Sequence, residues 1–235
     1  MIINGILNLR KPAGLRSTRA VTRIKHMLPR HTKIGHAGTL DTFASGVLLV
    51  LVGRATKLSE ALMSSPKQYV ATLRLGATTV THDPDSPEVP TAGATPVEKA
   101  DLERVLQRFS GNILQHPPIY SALKIGGMRS SDRVRLGESP VAPQPRVVRI
   151  DAVDLLSYEW PIARIRVDCG RGTYVRSIAR DIGDALGVGA YLSQLIRTRV
   201  GDFYINDAHD PIALSPDNLE SMLAPVPVPA AQTVQ

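Results

Sequence analysis

A glycine-containing loop followed directly by an apolar run constrains the fold of the N-terminal part of this chain. The apolar run, Val47 to Val52, is far too short to span a bilayer and is typical of a buried strand. The loop before it, Gly35 to Gly46, contains one acidic residue, Asp41. The sequence therefore predicts a core strand that begins directly after a tight loop carrying a single carboxylate.

Positive charge is concentrated in the same part of the chain. The first 60 residues contain ten lysines and arginines but two acidic residues, Asp41 and Glu60, whereas the whole chain has a net charge of +7. A helix is predicted after Ser17 or Thr18, either of which can cap it, and it carries several of these cations away from its apolar stripe. Such a surface can be an ordinary solvated face, but its concentration of charge favours contact with nucleic-acid phosphates.

The composition is that of a globular protein from a reducing compartment. The chain has 235 residues, of which 43% are hydrophobic, enough for one large domain or one domain with an insertion. Its single cysteine, Cys169, excludes an internal disulfide framework and leaves too few thiolates for a structural zinc site. The N-terminal residues lack the features of a secretory signal, so we expect a cytoplasmic protein.

Periodicity predicts a mixture of strands and helices. Alternating residues indicate strands from Tyr69 to Leu75 and from Ala163 to Cys169, and a helical pattern from Arg176 to Leu186 follows the second strand. Thr95 to Glu98 resembles a capping box that would open another helix. The chain therefore combines strands with helices in an α/β arrangement.

Other segments lack a clear period. The residues from Thr81 to Pro96 are rich in Asp, Pro and Thr and predict a surface loop. The segment from His116 to Arg146 has prolines at both ends and is predicted to be an excursion from the core. After Asp210 we expect a short extension whose proline-rich end is disordered.

Asp41 is the first candidate for chemistry. With no other information, an aspartate in such a loop is more often a turn former or a helix cap. Among cations, however, it would stay ionised and could act as a nucleophile or general base. No second carboxylate accompanies it, as a retaining glycosidase would require. His36 has no second ligand at metal spacing and Gly46 begins no phosphate-loop motif, so neither metal catalysis nor nucleotide hydrolysis is expected.

A second candidate site lies between Gly172 and Arg176. Tyr174 and Arg176 follow a glycine turn there, and an aromatic ring beside a guanidinium favours a nucleobase and phosphate site over core packing. For Tyr69, core packing and base stacking are equal alternatives.

Seven separated motifs follow one another along the chain. They are Asn4-Gly5 with Leu9, Lys11-Pro12 and Gly14; Gly35-His36 with Gly38 and Leu40-Asp41; Gly53 with Ala55-Thr56-Lys57; Tyr69 to Gly76; Tyr120 to Lys124; Gly172 to Arg176; and Leu186-Gly187 with Gly189-Ala190, continuing through Leu195. In this order they resemble the motifs of the bacterial TruB tRNA pseudouridine synthases, and the resemblance covers nearly all of the first 206 residues.

The resemblance implies an α/β pseudouridine synthase fold with a mixed, largely antiparallel sheet, flanking helices and an RNA-clamping insertion at about residues 116–146. A catalytic domain would span residues 1–210, and a short C-terminal extension would span residues 211–235. The implied reaction converts the T-loop uridine of tRNA, position 55 in tRNA numbering, to pseudouridine without a cofactor or metal. The expected partner is tRNA, bound through its T arm by a monomer that does not associate with membranes.

The resemblance also implies roles for seven residues. Asp41 would be the catalytic aspartate, and Arg176 would pair with it. Tyr69 would stack on the target base, and Leu195 would form an apolar part of the pocket. The other three are His36, which would occupy the space vacated by the flipped nucleotide, Tyr174 in the active site, and Lys11 in the first motif.

The chain departs from the family pattern at several positions. Thr42 stands where the family usually has proline, Val80 stands at a usually acidic position, and Ser130 to Gly137 replaces a tyrosine-containing motif. Relatives are also expected to continue into a small C-terminal RNA-binding domain where this chain ends. These differences leave two rival functions, a tRNA-binding folding chaperone with little catalysis and a pseudouridine synthase that acts on another RNA.

Overall fold

The computed structural model describes residues 3–121, 124–125, 128–129, 136 and 143–226. The chain divides into two units, Met1–Ser65 with Arg197–Gln235, and Pro66–Ile196. The helices and strands in chain order are β1 (Gly5–Lys11), α1 (Ser17–Lys25), β2 (Ile34–His36), β3 (Ser45–Val52), α2 (Ser59–Ser64), β4 (Lys67–Leu75), β5 (Ala77–Thr78), β6 (Val89–Pro90), α3 (Lys99–Leu106), β7 (Gly111–Gln115), β8 (Lys124–Ile125), β9 (Met128–Arg129), β10 (Arg146–Glu159), β11 (Ile162–Cys169), α4 (Val175–Leu186), β12 (Ala190–Val200) and β13 (Phe203–Tyr204). Short 3₁₀ helices span Gly53–Leu58, Gln107–Phe109, Ile205–Asp207 and Glu220–Met222.

The first unit is organised around β3. Strand β1 pairs with it antiparallel along its whole length, from Gly5 opposite Val52 to Lys11 opposite Gly46. Strand β2 also pairs antiparallel with β3. Because β2 ends at His36 and β3 begins at Ser45, the loop that carries Asp41 joins two paired strands. The predicted strand from Val47 to Val52 is confirmed.

Strand β3 is apolar throughout because both of its faces are buried. Leu48, Val50 and Val52 belong to one core cluster, which α1 covers. Val47, Leu49 and Leu51 alternate with them and belong to a second cluster. Successive side chains of a strand point to opposite faces, so a strand covered on both sides shows no polar alternation.

The second unit contains an antiparallel sheet in which β4, β11, β10 and β7 are successive neighbours. Every second residue of β4 and β11 is buried, which is the alternation that the sequence shows. Helices α3 and α4 contact each other and bury the apolar sides predicted for them. The predicted strands β4 and β11, the helix α4 and the mixed, largely antiparallel fold are therefore confirmed.

The predicted helix caps are wrong. Helix α1 begins at Ser17, with Arg16 as the residue before it, and no side chain caps it. The Ser17 hydroxyl bonds to the backbone of Leu40 instead. Helix α3 begins at Lys99, after the proposed capping box, and has no side-chain cap either. Tyr158 donates a hydrogen bond to the carbonyl of Val97, so a tertiary contact holds the chain extended just before the helix.

Parts of other predictions fall outside the described residues. Most of the predicted insertion at 116–146 lies there, apart from its ends, Leu136 and the paired strands β8 and β9. The predicted disordered end beyond Val226 also lies outside them. Within the described parts of the chain, no helix has the length and apolar character needed to cross a membrane.

Candidate active site

The loop that carries Asp41 is anchored to α1 immediately before the aspartate. The buried hydroxyl of Ser17 donates to the carbonyl of Leu40 at 2.9 Å and accepts from the N–H of Leu40 at 3.0 Å. Both backbone groups of the preceding residue are therefore satisfied by one side chain. This pair of hydrogen bonds fixes the direction from which the backbone enters Asp41, whose own side chain is half-buried.

A buried arginine holds the same loop further upstream. Arg197 of β12 is almost completely inaccessible and donates from Nε to the carbonyl of Val47 on β3 at 2.7 Å. Its Nη2 and Nη1 atoms donate to the carbonyls of Gly38, at 3.1 Å, and Thr39, at 3.4 Å. One guanidinium thus connects a core strand to the loop two and three residues before Asp41.

A buried lysine holds the loop downstream of Asp41. Lys11 has no accessible surface, and its Nζ donates to the carbonyls of Leu15 at 2.7 Å, Pro12 at 2.9 Å and Thr42 at 3.3 Å. Burial lowers the pKa of Lys11 to about 8, the negative charge of Asp41 raises it, and the charge of Arg197 lowers it. Lys11 is therefore close enough to Asp41 to interact with its charge.

His36 lies at the end of β2 and is partly buried. Burial, and then the nearby charge of Arg197, lower the pKa of His36 below its ordinary value, so its imidazole is neutral at neutral pH. Its Nδ1 atom is buried, and among the described residues it has no hydrogen-bond partner. The ring is therefore uncharged, and no described residue bonds to its Nδ1 atom.

In the second unit, Arg176 lies at the start of α4 in a buried network. Its Nη1 atom donates to the carboxylate of Asp83 and to the carbonyl of Thr81, both at 3.0 Å, and its Nη2 atom donates to the carbonyl of Tyr120, also at 3.0 Å. Asp83 in turn accepts from the N–H of Asp85 at 3.0 Å. The loop predicted to lie on the surface from Thr81 therefore contains a buried acid, which corrects that prediction at Asp83.

Tyr174 precedes α4 and is held by its backbone. Its N–H donates to Oε1 of Gln115 at 2.8 Å, and its carbonyl accepts from Nε2 of the same side chain at 3.1 Å. The guanidinium that stacks on its ring belongs to Arg146, whose Cζ lies 5.0 Å from the ring centroid. The sequence predicted that this ring lies beside the guanidinium of Arg176, but the guanidinium over the ring is that of Arg146, and Arg176 is bonded to Asp83 instead.

Tyr69 and Leu195 belong to the second unit and each expose less than one tenth of their surface. Tyr69 lies on β4 opposite Val167 of β11. Leu195 lies on β12, whose residue Ser193 bonds to the carbonyl of Thr72 on β4. Their burial is that of core residues, and their predicted contacts with a base stay predictions.

The structure brings the predicted residues together in two groups. Lys11, His36 and Asp41 belong to the first unit, and the other four belong to the second. The predicted pairing of Asp41 with Arg176 joins residues of different units and stays a prediction, while Asp83 is a partner of Arg176 that sequence reasoning missed. Sequence reasoning also missed Arg197, although an arginine at one of the buried positions of a strand is a detectable signal.

In the described part of the chain, no group of three or more His, Cys, Asp or Glu side chains could hold a metal ion.

Solved structures show the same fold. A chain in the crystal structure of a Cbf5-Nop10-Gar1 complex is 33% identical, with a TM-score of 0.67, and the match covers 88% of this chain and 52% of that one. A chain in the structure of an H/ACA RNP bound to a substrate RNA containing 2'-deoxyuridine is 30% identical, with the same TM-score, and the match covers 91% and 52%. This chain spans about half the length of those chains.

Family models identify the class of protein. Residues 25–175 match the model described as TruB family pseudouridylate synthase, N terminal domain. Residues 176–226 match the model described as tRNA pseudouridylate synthase B C-terminal domain. These two adjoining matches cover most of the chain and define it as a pseudouridylate synthase.

Similar proteins identify the family of this chain within the pseudouridylate synthases. The tRNA pseudouridine synthase B of Bacteroides fragilis is 41% identical over 88% of this chain and 90% of that protein. The enzyme of the same name from Clostridium kluyveri is 39% identical over 95% and 76%, and that from Pseudomonas fluorescens is 43% identical over 86% and 65%. The chain belongs to the TruB family.

Proposed function

We propose that this protein converts uridine to pseudouridine in the T loop of tRNA, at position 55 in tRNA numbering, with Asp41 as the catalytic carboxylate. Curated relatives named tRNA pseudouridine synthase B support the reaction and the tRNA substrate. The observation that carries the role of Asp41 is the anchoring of its loop on both sides by the buried side chains of Ser17, Arg197 and Lys11. A carboxylate held in this way is preorganised for chemistry.

The reaction is an isomerisation, so its atoms balance without an added reactant. The bond between N1 of uracil and C1′ of ribose breaks, and a bond between C5 and C1′ forms. The proton on C5 is lost, and N1 takes up a proton. Two routes use Asp41: it attacks C1′ and is later displaced by C5, or it assists elimination to a glycal. Both routes need an ionised carboxylate beside the ribose.

The base must leave the stack of the loop before the enzyme can reach its glycosidic bond, which costs a few kcal/mol. Tyr69 is proposed to offset this cost by stacking on the flipped base, and Leu195 to pack on its other side. His36, neutral at neutral pH and with Nδ1 unused, suits the space that the flipped nucleotide vacates. Arg176, held by Asp83, is proposed to pair with Asp41 and orient its carboxylate.

The exposed face of α1 and the turn after it is proposed to contact phosphates of the tRNA. We call it the α1 basic face, and it comprises six exposed cations. None of them forms an ion pair with another described residue. Unpaired exposed cations gain most from phosphate contact because they give up no protein partner. The six are Arg16, Arg19, Arg23, Lys25, Arg30 and Lys33.

We also propose that the protein is a monomer and acts in the cytoplasm. Cytoplasmic action is expected because tRNA is modified where it is made, and the buried, free side chain of the single cysteine, Cys169, fits a reducing compartment. Neither a cofactor nor a metal enters the reaction as written.

The test is pseudouridine formation in an unmodified tRNA transcript, mapped to the nucleotide, for the wild type and Asp41→Asn. Glu60→Gln is the matched control, because it makes the same carboxylate-to-amide change at the other acid of the first 60 residues, on the exposed side of α2. We expect conversion at the T-loop uridine by the wild type and the control, and none by Asp41→Asn with unchanged tRNA affinity.

Other results of the same assay would distinguish the two alternative functions, a tRNA-binding folding chaperone and a pseudouridine synthase that acts on another RNA. A wild type that binds tRNA and aids its folding without converting any uridine would indicate the chaperone. Conversion of stem-loops from other RNAs, with none in a T arm, would indicate a synthase with another substrate.

A further inference from the structure

We infer that Arg197 is a positioning residue for the reaction, which acts through the backbone of the loop and sets the place of the Asp41 carboxylate. The inference rests on the proposed function because it takes Asp41 as the catalytic group. Arg197 itself contacts carbonyls rather than reacting atoms.

The guanidinium of Arg197 is a bridge between a rigid element and a loop. Its Nε bond to Val47 fixes it to β3, which is buried on both faces. The opposite edge of the same planar group reaches Gly38 and Thr39. Arginine suits this task because its donors form a flat, rigid fork, whereas a lysine ammonium is a single point on a flexible stem.

Burying the charged side chain of Arg197 is energetically unfavourable if that side chain serves only to pack the core. The side chain is 1% exposed, and the described residues bonded to it offer carbonyl oxygens, not a carboxylate. Burying a cation without an anion is costly, and an apolar side chain of similar size would pack at β12 without that cost. The arginine therefore serves the loop carbonyls that an apolar residue would leave unsatisfied.

The backbone of Arg197 is also fixed in place. Gly46 has φ of +107°, and a Cβ at that position would lie 2.2 Å from the Arg197 carbonyl oxygen. The start of β3 therefore packs directly against the main chain of Arg197, and any side chain at Gly46 would displace it.

Arg197 completes a set of anchors that surrounds Asp41. Ser17 holds Leu40, and both Lys11 and the N–H of Gly14 hold the carbonyl of Thr42. Removal of the Arg197 guanidinium frees Gly38 and Thr39 while those other anchors stay. The expected result is a loop that stays folded but lets the carboxylate move, and a misplacement of about 1 Å can cost on the order of 10²-fold in rate.

The experiment compares Arg197→Lys and Arg197→Met with Leu219→Ala as a stability control. Leu219 is buried in the core cluster that α1 covers, and neither the Asp41 loop nor β12 contributes a residue to the described members of that cluster. Three quantities are measured for each protein: the single-turnover rate at saturating tRNA, the Kd for tRNA, and the temperature of unfolding. Hydrogen exchange of the peptide that contains residues 38–43 is measured alongside.

We expect Arg197→Lys to lower the single-turnover rate by about 10-fold or more, and Arg197→Met by on the order of 10²-fold, with Kd changed by less than about 2-fold. Both variants should speed exchange in residues 38–43. Leu219→Ala should lose at least as much thermal stability while keeping its rate and its exchange pattern in the loop.

Two results would overturn the inference. One is a wild-type rate in Arg197→Lys, which would show that the fork geometry is not needed. The other is an equal loss of rate in Leu219→Ala at equal loss of stability, which would make the role of Arg197 merely structural. If the wild type converts no uridine, the proposed function fails, and hydrogen exchange still decides whether Arg197 holds the loop.

Discussion

Arg176 donates from Nη1 to the carboxylate of Asp83 at 3.0 Å, and the two side chains are 5% and 4% exposed. This ion pair ties the start of α4 to the segment after β5 within the second unit. Asp83 accepts further hydrogen bonds from Thr81 and Asp85, so the acid is held from several sides. The Nη1 and Nη2 atoms of Arg176 are both bonded to this segment or to Tyr120, so the guanidinium has a fixed direction.

Replacing Asp83 with Asn should destabilise the second unit strongly. The change leaves the buried guanidinium of Arg176 without its counter-charge, and breaking such a pair costs about 3–5 kcal/mol. Urea unfolding measures this destabilisation. The matched control is Asp154→Asn, which breaks the pair with Arg166 at 2.8 Å, where both side chains are nearly half exposed. The control should cost less than about 1 kcal/mol, and equal losses of stability would contradict the prediction.

Lys11 should make stability depend on pH above neutrality. Its pKa is about 8 in the folded protein and has its ordinary value of 10.5 in the unfolded chain. Below pH 8 both states hold the proton. Between pH 8 and 10.5 the unfolded state binds more protons than the folded state, so this group raises the free energy of unfolding as pH increases.

Comparison with Lys11→Met isolates that contribution. The free energy of unfolding of the wild type, measured relative to the variant, should rise from about pH 7.5 to about pH 10. A constant difference over this interval would show that burial does not lower the pKa of Lys11.

Neutralising part of the α1 basic face should weaken the salt dependence of tRNA binding. The variant changes Arg19, Arg23 and Lys25 to Gln. Each phosphate that the variant no longer neutralises lowers the magnitude of the slope of log K against log salt by about 0.7–0.9, so three lost contacts should lower it by up to about 2.7. Binding measured over a range of salt concentrations gives both slopes.

A control variant carries the same change of net charge elsewhere. It replaces Lys99, Arg104 and Arg108, exposed cations on and after α3, with Gln. We expect a wild-type slope for this protein. If both variants changed the slope equally, overall charge rather than the α1 basic face would account for the affinity.

Tyr69→Ala should slow pseudouridine formation far more than Tyr69→Phe. The ring is more than nine tenths buried on β4, and stacking on a base depends on the ring rather than on its hydroxyl. Alanine substitution of a stacking ring costs about 1–3 kcal/mol per base. Equal decreases in single-turnover rate would assign the role to the hydroxyl as a proton carrier instead.

The sequence predicted those parts of the fold whose causes are local. Strand β3 was predictable because burial on both faces makes every residue apolar, and β4 and β11 because burial on one side produces alternation. Both helix caps failed because the residues concerned respond to distant partners. Ser17 bonds to Leu40, and the chain before α3 is held by Tyr158, interactions that no local pattern records.

The residues of the candidate site likewise separate into those that a local sequence pattern reveals and those that only the fold reveals. Asp41 stands out because it is a lone acid in a basic segment, and Tyr174 because it follows a glycine turn. Asp83 carries no such local signature, and Arg197 is marked only by its place among the buried residues of β12. Their importance arises from bonds to residues more than 90 positions away, and only the fold brings those together.

The first unit consists of two stretches of chain separated by residues 66–196, and the bonds from Arg197 to the Asp41 loop and β3 span 150 to 159 positions. During translation, Asp41 is incorporated roughly 8 to 30 seconds before Arg197. The N-terminal motifs are therefore synthesised well before the guanidinium that bonds to their loop. We expect a fragment that stops short of β12 to contain the motifs of the family but to lack the Arg197 anchor of the Asp41 loop.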